Sequence, residues 1–273
     1  ARALLRQAGS EARVVAKIER SESIPRLDEI IRASEAVMVA RGDLGVEVGY
    51  AQLTGLQKRI LQMARSLDRV SITATQMMES MIHSPVPTRA EVSDVANAVL
   101  DGSDAVMLSG ESAVGKYPGR AVEAMAEVIE GAEKYQFARN RGRDRFEGRL
   151  RHFDQAIAHA VMYTANHMDV EAIVALTESG STPLWMSRIR TDIPIFAFTR
   201  HERTQRRVAL YRGVYPIPFD ITHTDPAELY RAISKELLDR GHVKPGDELV
   251  LTLGELSGVS GGTNTMKLLR VEA

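Results

Sequence analysis

The sequence predicts an α/β protein in two parts: half of a (β/α)8 TIM barrel, made of four βα units, followed by a separate α/β domain. Two patterns and a change of composition carry this. Four short runs, 14–19, 36–40, 70–76 and 104–109, are each followed by polar residues and then by a helical stretch, as expected of parallel strands joined by right-handed crossovers. The run Ala36–Ala40 is apolar without alternation, which suits a strand covered on both faces. A stretch crowded with Arg, Asn, Asp and Gly at 136–151 then interrupts the pattern, which resumes beyond it. The expected boundaries are 1–135 for the half-barrel, 136–151 for a linker and 152–273 for the second domain.

Residues 1–8 read as the end of a helix stopped by Gly9, and Val14 to Glu19 as a strand that places Lys17 and Glu19 on one face. A helix follows over 24–33. The apolar run 36–40 then meets Arg41-Gly42-Asp43, expected to be a turn that delivers a carboxylate at the strand's end, with Gly42 and Gly45 admitting a ligand close to the backbone. Leu53, Leu56, Ile60, Met63 and Leu67 have the spacing of one helical stripe. The strand 70–76 comes next, and Thr88-Arg89-Ala90-Glu91 has the capping-box order for a helix ended by Asp101-Gly102. After the strand 104–109, Pro118 opens a long helix. In the second part, a helix is expected over 159–168 and another over 227–240, with strands at 172–176, 193–199, 214–218, 248–253 and 266–271.

With 273 residues, 44% of them hydrophobic, the chain can bury a sizeable core. A net charge of -1 supplies no global field for nucleic acid or an anionic membrane. The absence of cysteine excludes disulfides, thiolate nucleophiles and zinc-thiolate sites. No apolar run approaches a membrane span, and residues 1–9 lack the order of a signal peptide, so the expectation is a cytoplasmic protein with no nucleic-acid or membrane partner.

Lys17, Glu19, Asp43 and Thr75 all fall at the carboxyl ends of neighbouring expected strands, where they would converge. Two carboxylates with substrate oxygens suit Mg2+, and a nearby ammonium suits a transferring phosphoryl group or an enolate; structural ion pairs at strand ends suit the same spacing. Ser109-Gly110-Glu111 fits the lining of the same mouth but reads first as turn chemistry, Met77, Met78 and Met81 read as core, and the seven histidines show no ligand spacing. In the second part, Thr177, Ser179, Gly180, Ser181 and Thr182 precede a helix opened by Pro183 and combine hydroxyls with free amides, as an anion pocket or a simple N-cap would. The spacing is not that of a Walker A loop. The Gly- and Ser-rich segment 254–262 could fold over such a pocket or serve as a connection.

Taken together, Ala16-Lys17-Ile18-Glu19, Met38 to Gly45, Ala74-Thr75-Gln76-Met77, Pro87 to Glu91, Asp94 to Val99, Met107 to Glu111, Leu176 to Gly180 and Gly262-Thr263-Asn264-Thr265 resemble the pyruvate kinase family. The Met77-Met78 pair and Arg200-His201-Glu202-Arg203 look most like its bacterial forms. The resemblance implies phosphoryl transfer from phosphoenolpyruvate to ADP, giving pyruvate and ATP, with Mg2+ or Mn2+ and with K+, whose ligands would lie outside this chain. It implies Lys17 and Thr75 as catalytic residues, Glu19 and Asp43 as metal ligands, and Arg41, Gly42, Asp43 and Thr75 as substrate-binding residues. A homotetramer is implied as well, with Arg89 in a string that approaches a neighbouring subunit.

Relative to the family, the chain corresponds to the carboxyl-terminal portion, starting about halfway round the barrel. The expectation is a piece of a longer polypeptide that does not turn over unaided. The loop 177–182 resembles the family's effector site, with Glu178 where some members have lysine and Ser181 where many have arginine. That implies an activator with one phosphate, a hexose or pentose monophosphate or AMP. Two other classes fit part of the pattern: a Mg-dependent lyase acting on pyruvate enolate within the same barrel type, and a non-catalytic regulatory module.

Overall fold

The computed structural model of the chain describes residues 1–140, 150, 152–220, 225–254 and 262–272. They form two compact units, Ala1–Gln136 and Phe137–Ala273.

In the first unit the order is α1 (Arg2–Gln7), β1 (Val15–Ile18), a 3-10 turn (Ser21–Arg26), α2 (Leu27–Arg32), β2 (Ala36–Ala40), α3 (Arg41–Val48), α4 (Tyr50–Ser66) and β3 (Val70–Ala74). A second 3-10 turn (Glu79–Ile82), α5 (Arg89–Leu100), β4 (Ala105–Met107), α6 (Gly110–Ala113) and α7 (Pro118–Asn140) complete it. The strands lie in sequence order and all run parallel. Lys17 pairs with Met38, Ala40 with Ala74, and Ala74 with Met107. The strands therefore end nearly level, and Glu19, Arg41 and Thr75 emerge together.

The alternate residues of each strand point to opposite faces, so Ile18, Val37 and Val39 share one face and pack against Leu27, Ile31, Ile60, Leu61 and Ala64 of α2 and α4. Each large aliphatic side chain buried there contributes about 2 kcal/mol. Met77, Met78 and Met81 are fully buried with Val95, Ala98, Ala121 and Met125, as adaptable core.

Three local expectations are corrected. Arg41-Gly42-Asp43 is not a turn but the first turn of α3, because the chain passes from β2 directly into a helix whose unbonded amides favour an acid at Asp43. The helix expected over 24–33 divides at Arg26, and the 3-10 part contains Pro25, which has no N–H to give to an α-helical ladder. The expected linker begins inside α7, which continues to Asn140; residues 141–149 and 151 lie outside the described residues.

The second unit contains α8 (Phe153–Ala165), β5 (Ala172–Leu176), α9 (Ser181–Ser187), β6 (Ile195–Thr199), α10 (Glu202–Val208), β7 (Val214–Pro218), α11 (Pro226–Asp239), β8 (Glu248–Gly254) and β9 (Thr263–Arg270). The sheet order is β7-β6-β5-β8-β9, parallel except for β9 against β8. β5 is buried along its whole length, and a core of Val174, Phe196, Phe198, Ile217, Ile233, Leu237 and Leu251 forms around it. Pro216 and Pro218 sit on the edge strand β7, where a missing N–H breaks no inner ladder. The chain builds β6 and β7 on one side of β5 and then crosses to β8 on the other. Such a reversal opens a crevice at the carboxyl ends of the two central strands.

The capping box of α5 is formed as its spacing predicts: Thr88 Oγ1 accepts from Glu91 N, and Glu91 accepts from Thr88 N at 2.7 Å. Glu91 also accepts from Ser80 N and Ser80 Oγ, at 2.7 and 2.6 Å, which ties the second 3-10 turn to the helix. Partial burial pushes the Glu91 carboxyl up, but the bonds from Ser80 and Thr88 outweigh it and hold the group below its ordinary range. A depressed folded-state value gives stability that is present above the unfolded carboxyl range and is lost as pH falls through the folded one. Glu91→Ala is expected to destabilise this unit by about 1 kcal/mol at neutral pH, and by less in acid, as read from urea midpoints across pH.

Candidate functional site

At the carboxyl end of the first sheet, the Lys17 ammonium lies between two acids. It forms an ion pair with Glu19, from the end of its own strand, and its Nζ is 3.2 Å from Asp43 Oδ2 in the first turn of α3. The side chains of Lys17, Glu19 and Asp43 are 48, 34 and 61% exposed, so the cluster is open to solvent. The bond to Glu19, and then that to Asp43, holds the Lys17 ammonium above its ordinary range. Lys17, Glu19 and Asp43, which are spread over 27 residues of sequence, are thus brought together as their strand positions predict.

Thr75 completes this end of the sheet. Its Oγ1 accepts from Gly42 N at 2.8 Å and donates to Ala74 O at 2.7 Å, so it caps a first-turn amide of α3. Thr75 and Gln76 both adopt left-handed backbone, with φ of 68° and 51°. Each such residue costs on the order of 1–2 kcal/mol and persists only where its surroundings enforce it. Arg41, expected among the substrate-binding residues, directs its guanidinium to this turn. Nη2 donates to Thr75 O at 2.8 Å and to Gln76 O at 2.9 Å, Nε donates to Thr75 O at 3.3 Å, and Nη1 pairs with Asp94 of α5.

The two glycines differ in what they serve. A Cβ on Gly42 would stand 3.4 Å from Thr75 Oγ1, so Gly42 accommodates the Thr75 hydroxyl. At Gly45 a Cβ would meet the Tyr50 ring at 2.9 Å, so this glycine lets the start of α4 pack against α3 and is not a point of ligand approach. Glu111, read as turn chemistry, is almost fully buried and accepts from Met78 N at 3.0 Å and Ser109 N at 2.8 Å. The loop after β3 is therefore held by Arg41, Glu111 and Glu91, contributed by three different helices. The Glu91 part had a local signal, the capping spacing; the partners of Arg41 in this loop and in α5, and the Met78 amide held by Glu111, lie 33 to 53 residues away.

The donor set of Glu19 and Asp43 fits Mg2+ or Mn2+, which take few protein ligands and complete their shell with water and substrate oxygens. Among the described residues no group of three or more His, Cys, Asp or Glu gathers in a metal-holding arrangement.

In the second unit, the loop after β5 leaves the carboxyl end of the strand at which the order reverses. Gly180 is left-handed, with φ of 82°, and its N–H bonds to Thr177 Oγ1 at 2.9 Å. A Cβ there would press on Val208 at 2.9 Å, so glycine is required twice over. Thr182 Oγ1 shares a buried 2.7 Å bond with Thr263 Oγ1 at the start of β9. Ser179 Oγ donates to Ser181 Oγ at 3.2 Å. Thr177 and Thr182 thus shape the loop from inside, while Ser179 and Ser181 are half-buried at its surface. α9 starts at Ser181, two residues before the expected Pro183. The segment 254–262, read as either a cover for such a pocket or a connection, lies outside the described residues over 255–261.

Two α/β units, the first with an all-parallel sheet and the second parallel but for β9, with polar groups at the strand ends and in one of them an ammonium between two carboxylates, place the chain in the α/β class. The particular family follows from comparison with known proteins. Residues 1–122 match the pyruvate kinase barrel domain and residues 155–269 the pyruvate kinase alpha/beta domain; the chain belongs to the pyruvate kinase family. It is 51% identical to pyruvate kinase II of Salmonella typhimurium over 276 aligned residues, covering 100% of this chain and 57% of the relative. Identity is 48% to pyruvate kinase of Haemophilus influenzae, with 100% and 57% covered, and 42% to that of Geobacillus stearothermophilus, with 93% and 43% covered. The chain spans roughly half the length of the curated relatives it matches. Among the described residues no helix is long and apolar enough to cross a membrane.

Arg41→Met is expected to leave the Thr75 and Gln76 carbonyls without their donors and Asp94 without its partner. The cost should be about 2 kcal/mol, below that of a fully enclosed pair because Asp94 is 43% exposed, and would appear as a lowered urea midpoint at unchanged slope.

Proposed function

We propose that the protein transfers the phosphoryl group of phosphoenolpyruvate to ADP, giving pyruvate and ATP. The observation that carries this reading is the Lys17 ammonium between Glu19 and Asp43 at the end of a parallel sheet, in a chain of this family. Glu19 and Asp43 would hold Mg2+ or Mn2+, which when bound supplies positive charge to phosphoryl and enolate oxygens. K+ is assigned to residues outside this chain. Lys17 offsets charge on the phosphoryl oxygens as the P–O bond to the enol oxygen breaks and a P–O bond to the terminal oxygen of ADP forms. The enolate left behind takes a proton at carbon, and Thr75 is read as lying beside it, donating directly or through a water. The substrate carboxylate is read as meeting the first-turn amides at Gly42 and Asp43, with Arg41 holding the Thr75 turn in place.

The four-stranded sheet is read as half of an eight-stranded barrel, since β1 and β4 each pair on one side only among the described residues, and closure removes such edges. On this reading residues 1–135 are catalytic, 152–273 bind an effector, and the chain is the carboxyl-terminal portion of a cytoplasmic enzyme that assembles as a homotetramer. The effector is a hexose or pentose monophosphate or AMP, taken by the loop of Thr177, Ser179, Gly180, Ser181 and Thr182. The support is the position of that loop at the strand reversal and the acid at Glu178, which disfavours a second phosphate.

In a protein that carries these residues within a complete barrel, Lys17→Met is expected to lower ADP-dependent pyruvate formation by at least about 100-fold. Glu19→Gln and Asp43→Asn should each weaken Mn2+ binding, followed by electron paramagnetic resonance, by about tenfold or more. Pyruvate formation that ignores ADP would point to carbon-carbon lyase chemistry. Glucose 6-phosphate is expected to activate the same protein more strongly than fructose 1,6-bisphosphate in a steady-state assay, and the opposite order would defeat the single-phosphate reading.

A further inference from the structure

The turn after β6 places two nitrogen-bearing side chains against the loop after β5. Glu178, whose side chain is 12% exposed, stands with Oε1 at 3.3 Å from Arg200 Nη2 and with Oε2 paired to His201 Nε2. The loop backbone is fastened to the same neighbour: Thr204 Oγ1 donates to Glu178 O at 2.7 Å, and Arg207 Nη1 donates to Ser179 O. Oε1 is buried and accepts no hydrogen bond among the described residues, so on that side charge attraction to Arg200 holds the carboxylate. An acceptor desolvated in this way is costly, and it stays because the guanidinium is there.

Arginine and histidine gathered beside hydroxyls are what an anion binds. Here an anion of the chain itself already lies on them. We infer that Glu178 is a built-in competitor for phosphate: its carboxylate occupies Arg200 and His201, so a phosphoester entering the loop Thr177–Thr182 gains these two side chains only by displacing it. This rests on the reading of that loop as an effector site. The consequence is selective, because each further negative charge on the ligand meets the acid while its natural partners are withheld. Arg200 and His201 thereby determine which phosphoesters the loop takes, although neither lies within it.

The test is equilibrium titration of the chain with inorganic phosphate and with fructose 1,6-bisphosphate, comparing wild type with Glu178→Gln. The glutamine keeps the side-chain volume and the main-chain bond to Thr204 while removing the charge. Glu178→Gln is expected to bind both ligands at least about tenfold more tightly than wild type, with the larger gain for the bisphosphate. The double variant Glu178→Gln/Arg200→Gln is expected to lose that gain. Binding no tighter than wild type, or a gain that survives the loss of Arg200, overturns the inference. Glu178→Ala, which brings no amide donor, carries the same expectation and decides the matter should the glutamine variant not fold. Uptake of glucose 6-phosphate by wild type, weakened in Ser181→Ala, reports separately on the effector reading, so the two ideas fail on different measurements.

Discussion

Two carboxylates delivered to the same end of a parallel sheet repel each other unless a cation stands between them, and here Lys17 does so. The arrangement depends on strand register. Because Lys17 pairs with Met38 and the strands end level, Glu19 leaves β1 at the height where α3 begins, and Asp43 in its first turn comes within reach of the same ammonium. A one-residue slip of β1 would turn Lys17 and Glu19 to the helix-covered face and place Ile18 in the site. Burial of Ile18 against α2 and α4 therefore specifies the chemistry as much as the packing.

The second requirement is a rigid turn after β3. Two successive left-handed residues, Thr75 and Gln76, place the Thr75 hydroxyl on the Gly42 amide. Nothing local favours that conformation in a threonine and a glutamine. It is enforced from outside by the buried Arg41 guanidinium, while Glu111 and Glu91 hold the amides of Met78 and Ser80 further along. Charged side chains spent on backbone groups in this way stabilise one loop geometry, and the strain they offset sits at the residue read as facing the enolate.

The second unit solves a similar problem with neutral groups. A left-handed Gly180 and the internal bonds of Thr177 and Thr182 shape the loop at the strand reversal, and α10 fastens it through Thr204 and Arg207. Hydroxyls and amides carry little charge of their own, so on the effector reading selectivity would pass to the charged residues beside the loop. Beside this loop Glu178 pairs with Arg200 and His201, while Arg207 bonds the Ser179 carbonyl.

The apolar runs of β2, β5 and β7 and the capping box at Thr88 were legible from the residues alone, because strand burial and helix capping are short-range patterns that leave a periodic or spaced trace. The convergence of Lys17, Glu19 and Asp43 was legible too, given parallel strands. The helical start at Arg41 was not, since Arg-Gly-Asp has no strong helical signal and the Gly42 amide is satisfied by a hydroxyl 33 residues away. Nor was the seven-residue helix α10, which is mostly charged and buries only Thr204 and Val208. The sequence by itself determined the order of the strands and which residues stand at their ends. Only the tertiary structure decided that Arg41 and Glu111 serve the backbone and that Glu178 meets Arg200 and His201, because a long charged side chain can reach any of several partners and only the packed chain selects one.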